Sequence, residues 1–265
     1  MECGVRQGGL TSPLLFNLYI NELIGELSST HTGCYIDNVC VNNISYADDM
    51  VLLGPTVGAI RRLLNICASY AREHGLTYNA KKSKILVFKG KSGVYVPVCV
   101  PPITLYDVEL QRVNSFRYLG HIVTDSLTDD EDLERERRTL AVRGNMIARR
   151  FARCSVPVKI TLFKAYCQSL YASSLWVSYT RRAARVLRVQ YNNIFRMLLR
   201  LPPHCSASLM FAEAHTDGYD ALIRKKVGSL LRRLRDSSNG ILRMIASRTD
   251  CPIQHRLMCV VIGKG

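Results

Sequence analysis

The sequence predicts an α+β fold over its first half and an all-α, strongly basic region over its second half. Apolar residues make up 48% of the 265 residues, which is enough to bury a core. The net charge of +15 arises in the second half: residues 1–130 hold 11 basic and 12 acidic side chains, whereas residues 131–265 hold 25 and 9. Hydrophobic periodicity changes at the same place, from short strand-like runs to long helical stripes.

Short elements alternate through the first half, and turn residues separate them. Ser12-Pro13 supplies an N-cap and a first helical residue, and Gly75 ends a second helix. The predicted order begins with a helix from Ser12 to about Leu27, a hairpin over 33–41 with its turn at Asp37-Asn38, and strand-like runs within 44–53. A helix over 57–74 and a strand over 77–88 follow. The last predicted elements of this half are short edge strands at best within 94–110 and a strand over 116–124. This order indicates an antiparallel sheet with helices on one face.

The second half is predicted to be almost wholly helical. Its first helix has apolar residues recurring near every seventh position, at Leu133, Leu140, Ile147 and Phe151. Pro157 starts the next helix, and Pro202-Pro203 stops one that begins near Ala183. Further helices are predicted over 218–236 and through the C-terminus.

Two adjacent carboxylates, Asp48 and Asp49, lie between the apolar runs of residues 44–53. Burying a carboxylate without a partner is costly, and two side by side repel unless a cation holds them. Mg²⁺ prefers carboxylate oxygens and substrate phosphates, and two such ions can clamp the attacking and leaving oxygens of a phosphoryl displacement. The bland alternative is a solvated β-turn, since Asp is common in turns.

Four motifs resemble those of reverse transcriptases, in the order and spacing of that family. They are Gly4 to Asn17 (GVRQGGLTSPLLFN, similar to Gln-Gly…Ser-Pro…Leu-Phe), Tyr46-Ala47-Asp48-Asp49 (Tyr-x-Asp-Asp), Leu76 to Lys84 (Asn-x-x-Lys-Thr/Ser) and Phe116 to Gly120 (Phe-x-Tyr-Leu-Gly). Alanine at the second position of the acidic motif, with Arg-Gln-Gly upstream, resembles non-LTR (LINE-type) retrotransposons and group II introns. A weaker resemblance to the segment after the LINE thumb covers Asn192 to Pro202.

The resemblance implies a role for each motif in RNA-directed DNA synthesis. It implies that the catalytic metal ligands are Asp48 and Asp49, that the nucleotide and template are contacted by Gln7, Gly8, Tyr46, Ala47 and Lys82, and that the primer grip is Tyr118, Leu119 and Gly120. The non-functional interpretation of Lys82 is a solvated lysine. The non-functional interpretation of the primer-grip motif is packing of an edge strand. In the full protein the cofactor would be two Mg²⁺ ions, and the partners would be an RNA template, a DNA primer and dNTPs.

The basic second half is expected to hold an RNA–DNA hybrid through its phosphates, as a polymerase thumb does. The predicted backbone contacts are Arg135, Arg138, Arg143, Arg149 and Arg150. A solvated helix face is the alternative, but the seven arginines of this predicted helix stand beside only two glutamates, Glu134 and Glu136. The expected domains are a partial palm over 1–125, a helical thumb over 126–203 and an unassigned helical extension over 204–265.

The sequence departs from the family at its front. The family carries another catalytic Asp and the fingers before the Gln-Gly motif, whereas Gln7 is nearly the first residue here. We therefore expect part of a longer element polyprotein that synthesises no DNA by itself. The alternatives are a non-catalytic nucleic-acid-binding derivative and a group II intron maturase, for which no clear match follows Leu201.

The spacing of the ten cysteines bears on zinc binding, and the length of the apolar runs bears on the cellular compartment. No C-x-x-C pair occurs, and the spaced trio Cys251, His255 and Cys259 offers three ligands where structural zinc sites usually have four. Free thiols are the expected state. No signal peptide or membrane-length apolar run is visible, so we expect a cytoplasmic or nuclear protein without a membrane partner.

Overall fold

The computed structural model describes residues 8–89, 100–248 and 250–263. The chain packs as two compact units, residues 1–113 and residues 114–265. Strands and helices mix in the first unit, and helices dominate the second, so the mixed α+β character predicted from the sequence is present.

The first unit is built from two helices and eight short strands among its described residues. They are α1 (Ser12–Ser29), β1 (Cys34–Ile36), β2 (Val39–Val41), β3 (Asn43–Tyr46), β4 (Asp49–Leu52), α2 (Val57–Glu73), β5 (Lys84–Leu86), β6 (Thr104–Leu105), β7 (Val108–Glu109) and β8 (Gln111–Val113). Both predicted helices, the predicted hairpin over 33–41 and the predicted strand-like runs within 44–53 are confirmed, and the latter form the hairpin β3–β4.

The strands of this unit depart from the predicted sheet. They form two-stranded ladders, and β5 pairs with β8 in parallel, so the expectation of one antiparallel sheet is wrong for this pair. The predicted strand over 77–88 is reduced to β5, because Asn79 caps a tight turn by accepting hydrogen bonds from the backbone of Lys82 and Ser83. The part of the predicted edge-strand segment at 94–99 lies outside the described residues.

Two apolar clusters hold the first unit together, and they pack on two different faces of α2. Ile20, Leu23 and Leu27 of α1 pack against α2 residues Leu63, Cys67 and Tyr70. The second cluster joins Ile103, Leu105 and Leu110 to α2. Burial of these side chains fixes the helices beneath the hairpin β3–β4, since Met50 and Leu52 of that hairpin also pack on the first cluster.

The second unit begins with a hairpin and continues as a set of helices. Its elements are β9 (Ser115–Tyr118), β10 (His121–Thr124), α3 (Asp130–Arg150), α4 (Val156–Cys167), α5 (Arg181–Leu199), α6 (Ala207–Glu213), α7 (Tyr219–Arg235), α8 (Gly240–Ser247) and α9 (Pro252–Ile262). The prediction of a single strand over 116–124 is wrong: Leu119 and Gly120 reverse the chain with positive φ angles. Helix α6 escaped prediction because its seven residues give a weak periodic signal.

The main core of the second unit lies where α3, α4 and α5 meet. The predicted stripe Leu133, Leu140 and Ile147 is buried, together with the aromatic residues Phe163, Tyr191 and Phe195. Gly144 allows a close approach of α3 to α5, because a Cβ at this position would lie 2.7 Å from Ile194 Cγ2. Across the described residues, we find no helix long and apolar enough to cross a membrane.

Candidate metal and nucleic-acid sites

The acidic pair lies at the tip of the hairpin β3–β4. Tyr46 pairs directly with Asp49, which leaves Ala47 and Asp48 as the two turn residues. Ala47 has a φ of 52°, which matches the first position of the tight turns that suit the twist of a hairpin. Both carboxylates are exposed, and they protrude from the same tip.

Asn42 fastens this hairpin to α1, and the sequence analysis did not anticipate its role. The side chain is 2% exposed, and its Nδ2 donates to the carbonyls of Leu27 at 2.6 Å and Thr32 at 3.0 Å. The carbonyl of Asn42 accepts from the amide of Leu53, at the far end of the hairpin. Buried amides of this kind need all their partners, so α1 and the hairpin form one rigid support for the acidic tip.

The donor set at the tip suits a hard divalent cation. Two carboxylates provide the oxygen ligands that Mg²⁺ prefers, and their exposure leaves room for water or phosphate oxygens to complete the shell. Within the described residues, no third His, Cys, Asp or Glu side chain joins the pair in a metal-binding group. The two aspartates therefore fit a divalent-metal site to which they contribute part of the oxygen ligands.

Three further residues predicted to contact nucleotide, Gln7, Gly8 and Lys82, lie outside the acidic motif in the sequence. The structure describes Gly8 and Lys82. Gly8 precedes α1 with a φ of 81° and open space where a side chain would be. Lys82 is exposed in the turn capped by Asn79. Gln7 lies outside the described residues. The nucleotide-binding roles of these residues thus remain predictions.

The predicted primer-grip residues form the tip of the hairpin β9–β10. Tyr118 ends β9, and Leu119 and Gly120 are the turn residues between paired Tyr118 and His121. Leu119 has a φ of 45° and Gly120 a φ of 83°. The motif therefore presents a tight, two-residue turn in place of the continuous strand that was expected.

The predicted phosphate-binding arginines of α3 separate into two groups. Arg135 and Arg143 are tied internally: Arg135 binds Asp132 and Glu136 at 2.6 and 3.0 Å, and Arg143 binds Ser169 at 2.5 Å and Glu136 at 3.5 Å. Arg138 pairs with Glu134 but remains 74% exposed. By contrast, Arg149 and Arg150 in the last turn are exposed, and they enter no ion pair recorded among the described residues.

Glu134 shows how strongly these pairs act. Hydrogen bonds from Arg137, and then from Arg138, lower the pKa of Glu134 to about 2 despite some opposing burial. The expectation that the charges of α3 are unbalanced by local pairs is therefore wrong over its first half. The helix is unbalanced at its C-terminal end.

A buried polar network around Asp132 joins α3 to β10, and sequence reasoning missed it. Asp132 is fully buried and accepts hydrogen bonds from Trp176 Nε1 at 2.7 Å and from the amide of Ile122 at 3.0 Å. His121 Nδ1 lies 3.1 Å from the same carboxylate. Burial alone would raise the pKa of Asp132, but hydrogen bonds from His121, Arg135 and Trp176 hold it well below its usual value.

The same end of α3 also fastens the segment that follows residue 175. Asp129 accepts hydrogen bonds from the amides of Val177 and Ser178, both at 2.8 Å. Burial nevertheless raises the pKa of Asp129. The signal in the sequence was the single tryptophan together with the acidic first turn of α3, Asp129 to Asp132, before a strongly basic helix.

The spaced trio of possible zinc ligands does not form a cluster. Cys259 Sγ lies 3.8 Å from His255 Nδ1 on α9, whereas Cys251 precedes that helix as its N-cap residue. Within the described ranges no group of three potential metal ligands is found.

Comparison with known proteins gives consistent matches for the first half of the chain. Residues 1–123 match the family described as reverse transcriptase (RNA-dependent DNA polymerase). A Pol polyprotein from a type-1 retrotransposable element R2 of Popillia japonica is 35% identical over 122 residues, which cover 44% of this chain and 17% of the relative. The type-2 element R2DM of Drosophila melanogaster is 35% identical over 127 residues, which cover 44% of the chain and 11% of the relative.

A longer match extends into the second unit. The Pol polyprotein of a type-1 element R1 of Nasonia vitripennis is 25% identical over 209 residues, which cover 73% of this chain and 58% of the relative. The chain thus spans less than a fifth of the first R2 relative and more than half of the R1 relative.

The matched segment carries the acidic hairpin, the turn before β5 and the predicted primer grip, so sequence and geometry point to one class of protein. Residues 1–123 are similar to the reverse transcriptase family, whose members are generally dependent on divalent metals and bind nucleic acid. Its relatives are Pol polyproteins of R1 and R2 elements, and the predicted reverse transcriptase of non-LTR type is confirmed. These relatives favour a retrotransposon origin over an intron maturase.

Proposed function

We propose that this chain forms part of an RNA-directed DNA polymerase of a non-LTR retrotransposon, with Asp48 and Asp49 as its catalytic carboxylates. The observation that carries the proposal is the exposed pair at the rigid tip of β3–β4, within the segment that matches the family. The reaction is the joining of a primer 3′-hydroxyl to the α-phosphate of a dNTP, with pyrophosphate as the leaving group.

The roles of the two aspartates follow from their positions. Asp48, at the turn, and Asp49, at the start of β4, would hold Mg²⁺, which stabilises the negative charge that develops at the transferred phosphate. Asn42 supports both residues by fixing the hairpin to α1. Precise support matters because small displacements of positioned groups reduce catalytic rates severely.

The nucleotide and the template would be bound by residues of the acidic motif and of the motifs that flank it in the sequence. We assign Gln7 and Gly8 to the template and incoming nucleotide, because the family uses this motif there and Gly8 leaves open space above the backbone. Tyr46 and Ala47 would contact the nucleotide from the hairpin itself. Lys82, exposed on its capped turn, would stabilise charge on the triphosphate.

The primer and the hybrid would be bound by the second unit. The turn at Leu119 and Gly120, with Tyr118, would act as the primer grip. Exposed arginines at the end of α3, with Arg138, would bind the sugar–phosphate backbone of an RNA–DNA hybrid, where contacts to phosphate need no base sequence.

The catalytic assignment is tested by primer extension on an RNA template in a Pol polypeptide that contains this chain. Asp48→Ala is expected to abolish synthesis while leaving the affinity for a recessed RNA–DNA duplex unchanged or slightly higher, because a negative charge is removed. Asp37→Asn, at the tip of the neighbouring hairpin β1–β2, serves as the matched control and should retain synthesis. Synthesis that survives Asp48→Ala would show that the metal site is elsewhere.

Metal binding can be measured on the 265-residue chain directly. Mn²⁺ is a suitable paramagnetic probe for a site of oxygen ligands. Its electron paramagnetic resonance signal should diminish on titration with the unsubstituted chain, and the loss should be reduced in an Asp48→Asn, Asp49→Asn double variant. Equal binding by both proteins would count against the assignment of these two ligands.

A further inference from the structure

The turn of the hairpin β9–β10 adopts a conformation that its own residues do not favour. Both Leu119 and Gly120 have positive φ, the pattern of a two-residue turn that usually selects Asn-Gly. A leucine in this region is disfavoured sterically, because its Cβ approaches the following carbonyl. Neighbouring structure must therefore hold the turn in place.

Tyr171 provides that neighbouring structure in two ways. Its hydroxyl donates a hydrogen bond to the carbonyl of Leu119 at 2.7 Å. Its ring also covers Gly120, where a Cβ would lie 2.8 Å from Tyr171 Cε1. The side chain thus engages both residues of the turn, one by a polar contact and one by close packing.

Helix α3 in turn holds Tyr171 by its backbone. The carbonyl of Tyr171 accepts a hydrogen bond from Arg135, with a separation of 3.4 Å, and its amide donates to the carboxylate of Glu136. Arg135 is itself fixed by Asp132, at 2.6 Å. Arg135 and Glu136 thus hold the backbone of Tyr171 so that its ring lies against the turn.

The same helix holds the strand that leaves the turn. Asp132 accepts the amide of Ile122 at 3.0 Å, two residues after Gly120. Trp176 Nε1 also donates to the carboxylate of Asp132, at 2.7 Å. The hairpin is therefore gripped from α3 at two points, directly through Asp132 and indirectly through Arg135 and Tyr171.

We propose that Tyr171 is a positioning residue that fixes the Leu119–Gly120 turn, and thereby the end of a primer bound there. The part that concerns the primer rests on the proposed function, whereas the part that concerns the turn does not. Tyr171 contacts no substrate in this proposal and acts only through Leu119 and Gly120. Arg135, which the sequence analysis assigned to phosphate binding, acts here as the support of Tyr171.

Amide hydrogen exchange on the 265-residue chain tests the turn without any nucleic acid. Tyr171→Phe keeps the ring over Gly120 and removes only the hydroxyl contact, so the fold should persist. Exchange over residues 119–122 is expected to become roughly threefold to tenfold faster, the range for one lost hydrogen bond. Tyr166→Phe is the matched control, because Tyr166 is exposed on α4 and no hydrogen bond of its hydroxyl is recorded among the described residues.

A spectroscopic signal reports on the primer separately. A recessed RNA–DNA duplex with 2-aminopurine at the primer 3′-end should change its fluorescence on binding, and Tyr171→Phe should alter that change while leaving Kd within about twofold. A role in folding alone would leave the signal of the bound primer unaltered.

The outcomes separate the two levels of the proposal. Exchange over residues 119–122 that is equal in Tyr171→Phe and Tyr166→Phe overturns it. Faster exchange with an unaltered 2-aminopurine signal also overturns it as a statement about the primer. Absence of any signal with the unsubstituted chain would be a failure of the proposed primer grip, and the exchange result would then decide the claim about the turn.

Discussion

At the scale of single residues, the acidic hairpin keeps its shape at some cost to the backbone. Ala47 has a φ of 52°, a region that costs a residue with a Cβ about 1 kcal/mol. The direct pairing of Tyr46 with Asp49 requires a two-residue reversal, and Asn42 fixes the base of the hairpin. The turn at Ala47 therefore places Asp48 at the tip of the hairpin.

Ala47→Gly is expected to raise the free energy of unfolding of the first unit by about 0.5–1 kcal/mol, because glycine adopts positive φ without a Cβ contact. Chemical denaturation followed by circular dichroism measures the change. Ala59→Gly, in helix α2, is the control and should lower stability by a similar amount. A loss of stability in Ala47→Gly would show that the alanine side chain contributes packing that outweighs the strain.

The candidate site residues could be proposed from the sequence, whereas the residues that support them could not. Asp48, Asp49 and Gly120 lie in motifs that resemble those of the family by residue type and spacing. Asn42 and Tyr171 belong to no motif, and their importance depends on partners 15 and 52 residues away in sequence. Partners at such distances are brought together only by the folded chain.

At the scale of elements, the hairpin β9–β10 shows where periodicity fails. The run from Phe116 to Thr124 reads as one strand because only Gly120 signals a turn, and a leucine precedes it. The turn is supplied by contacts to Tyr171 and α3, which local sequence does not encode. The charge pattern of α3 was misread for a related reason: the comparison of arginines with glutamates left out Asp132 and the pairs three residues apart.

Asp132→Asn is expected to destabilise the second unit at neutral pH by about 3–5 kcal/mol, because it removes one partner from a buried charged network. The single tryptophan, Trp176, donates to Asp132 and reports unfolding directly by fluorescence. Chemical denaturation at a series of pH values measures the difference from the unsubstituted chain.

The pH dependence of this difference has a definite sign. The pKa of Asp132 is lower in the folded chain than in the unfolded chain, so its stabilisation is complete above the unfolded pKa of about 4 and is lost as pH falls. The gap between the two proteins should therefore narrow from pH 5 towards about pH 2. Asp129 and Glu136, whose pKa values are raised by burial, act with the opposite sign in both proteins.

A matched control keeps this test specific. Asp236→Asn removes an exposed carboxylate at the end of α7 that lacks these contacts, and it should differ little from the unsubstituted chain at any pH. A gap for Asp132→Asn that stays constant with pH would contradict the charged role of Asp132 in the folded unit.

At the scale of the whole molecule, the distribution of charge along the sequence says more about phosphate binding than the net charge of +15 does. The first unit combines helices and hairpins around an acidic tip, and the second unit carries the basic helices. Internal pairing neutralises the arginines in the first half of α3, while Arg149 and Arg150 remain exposed in its last turn. On α3, the positive charge that can contact phosphate is therefore concentrated in the last turn, at Arg149 and Arg150.

The salt dependence of hybrid binding tests which arginines contact phosphate. Each phosphate contact that is lost should reduce the slope of log K against log salt by about 0.7–0.9. Arg149→Ala and Arg150→Ala are each expected to show this reduction and to weaken binding alike for different sequences, when fluorescence anisotropy is measured across a series of KCl concentrations. Arg137→Ala on the same helix is the matched control, because Glu134 already neutralises Arg137 through contacts of 2.6 and 2.8 Å. Slopes that fall equally in all three variants would mean that the second unit contributes only a diffuse field, and that the end of α3 makes no contact of its own with the backbone.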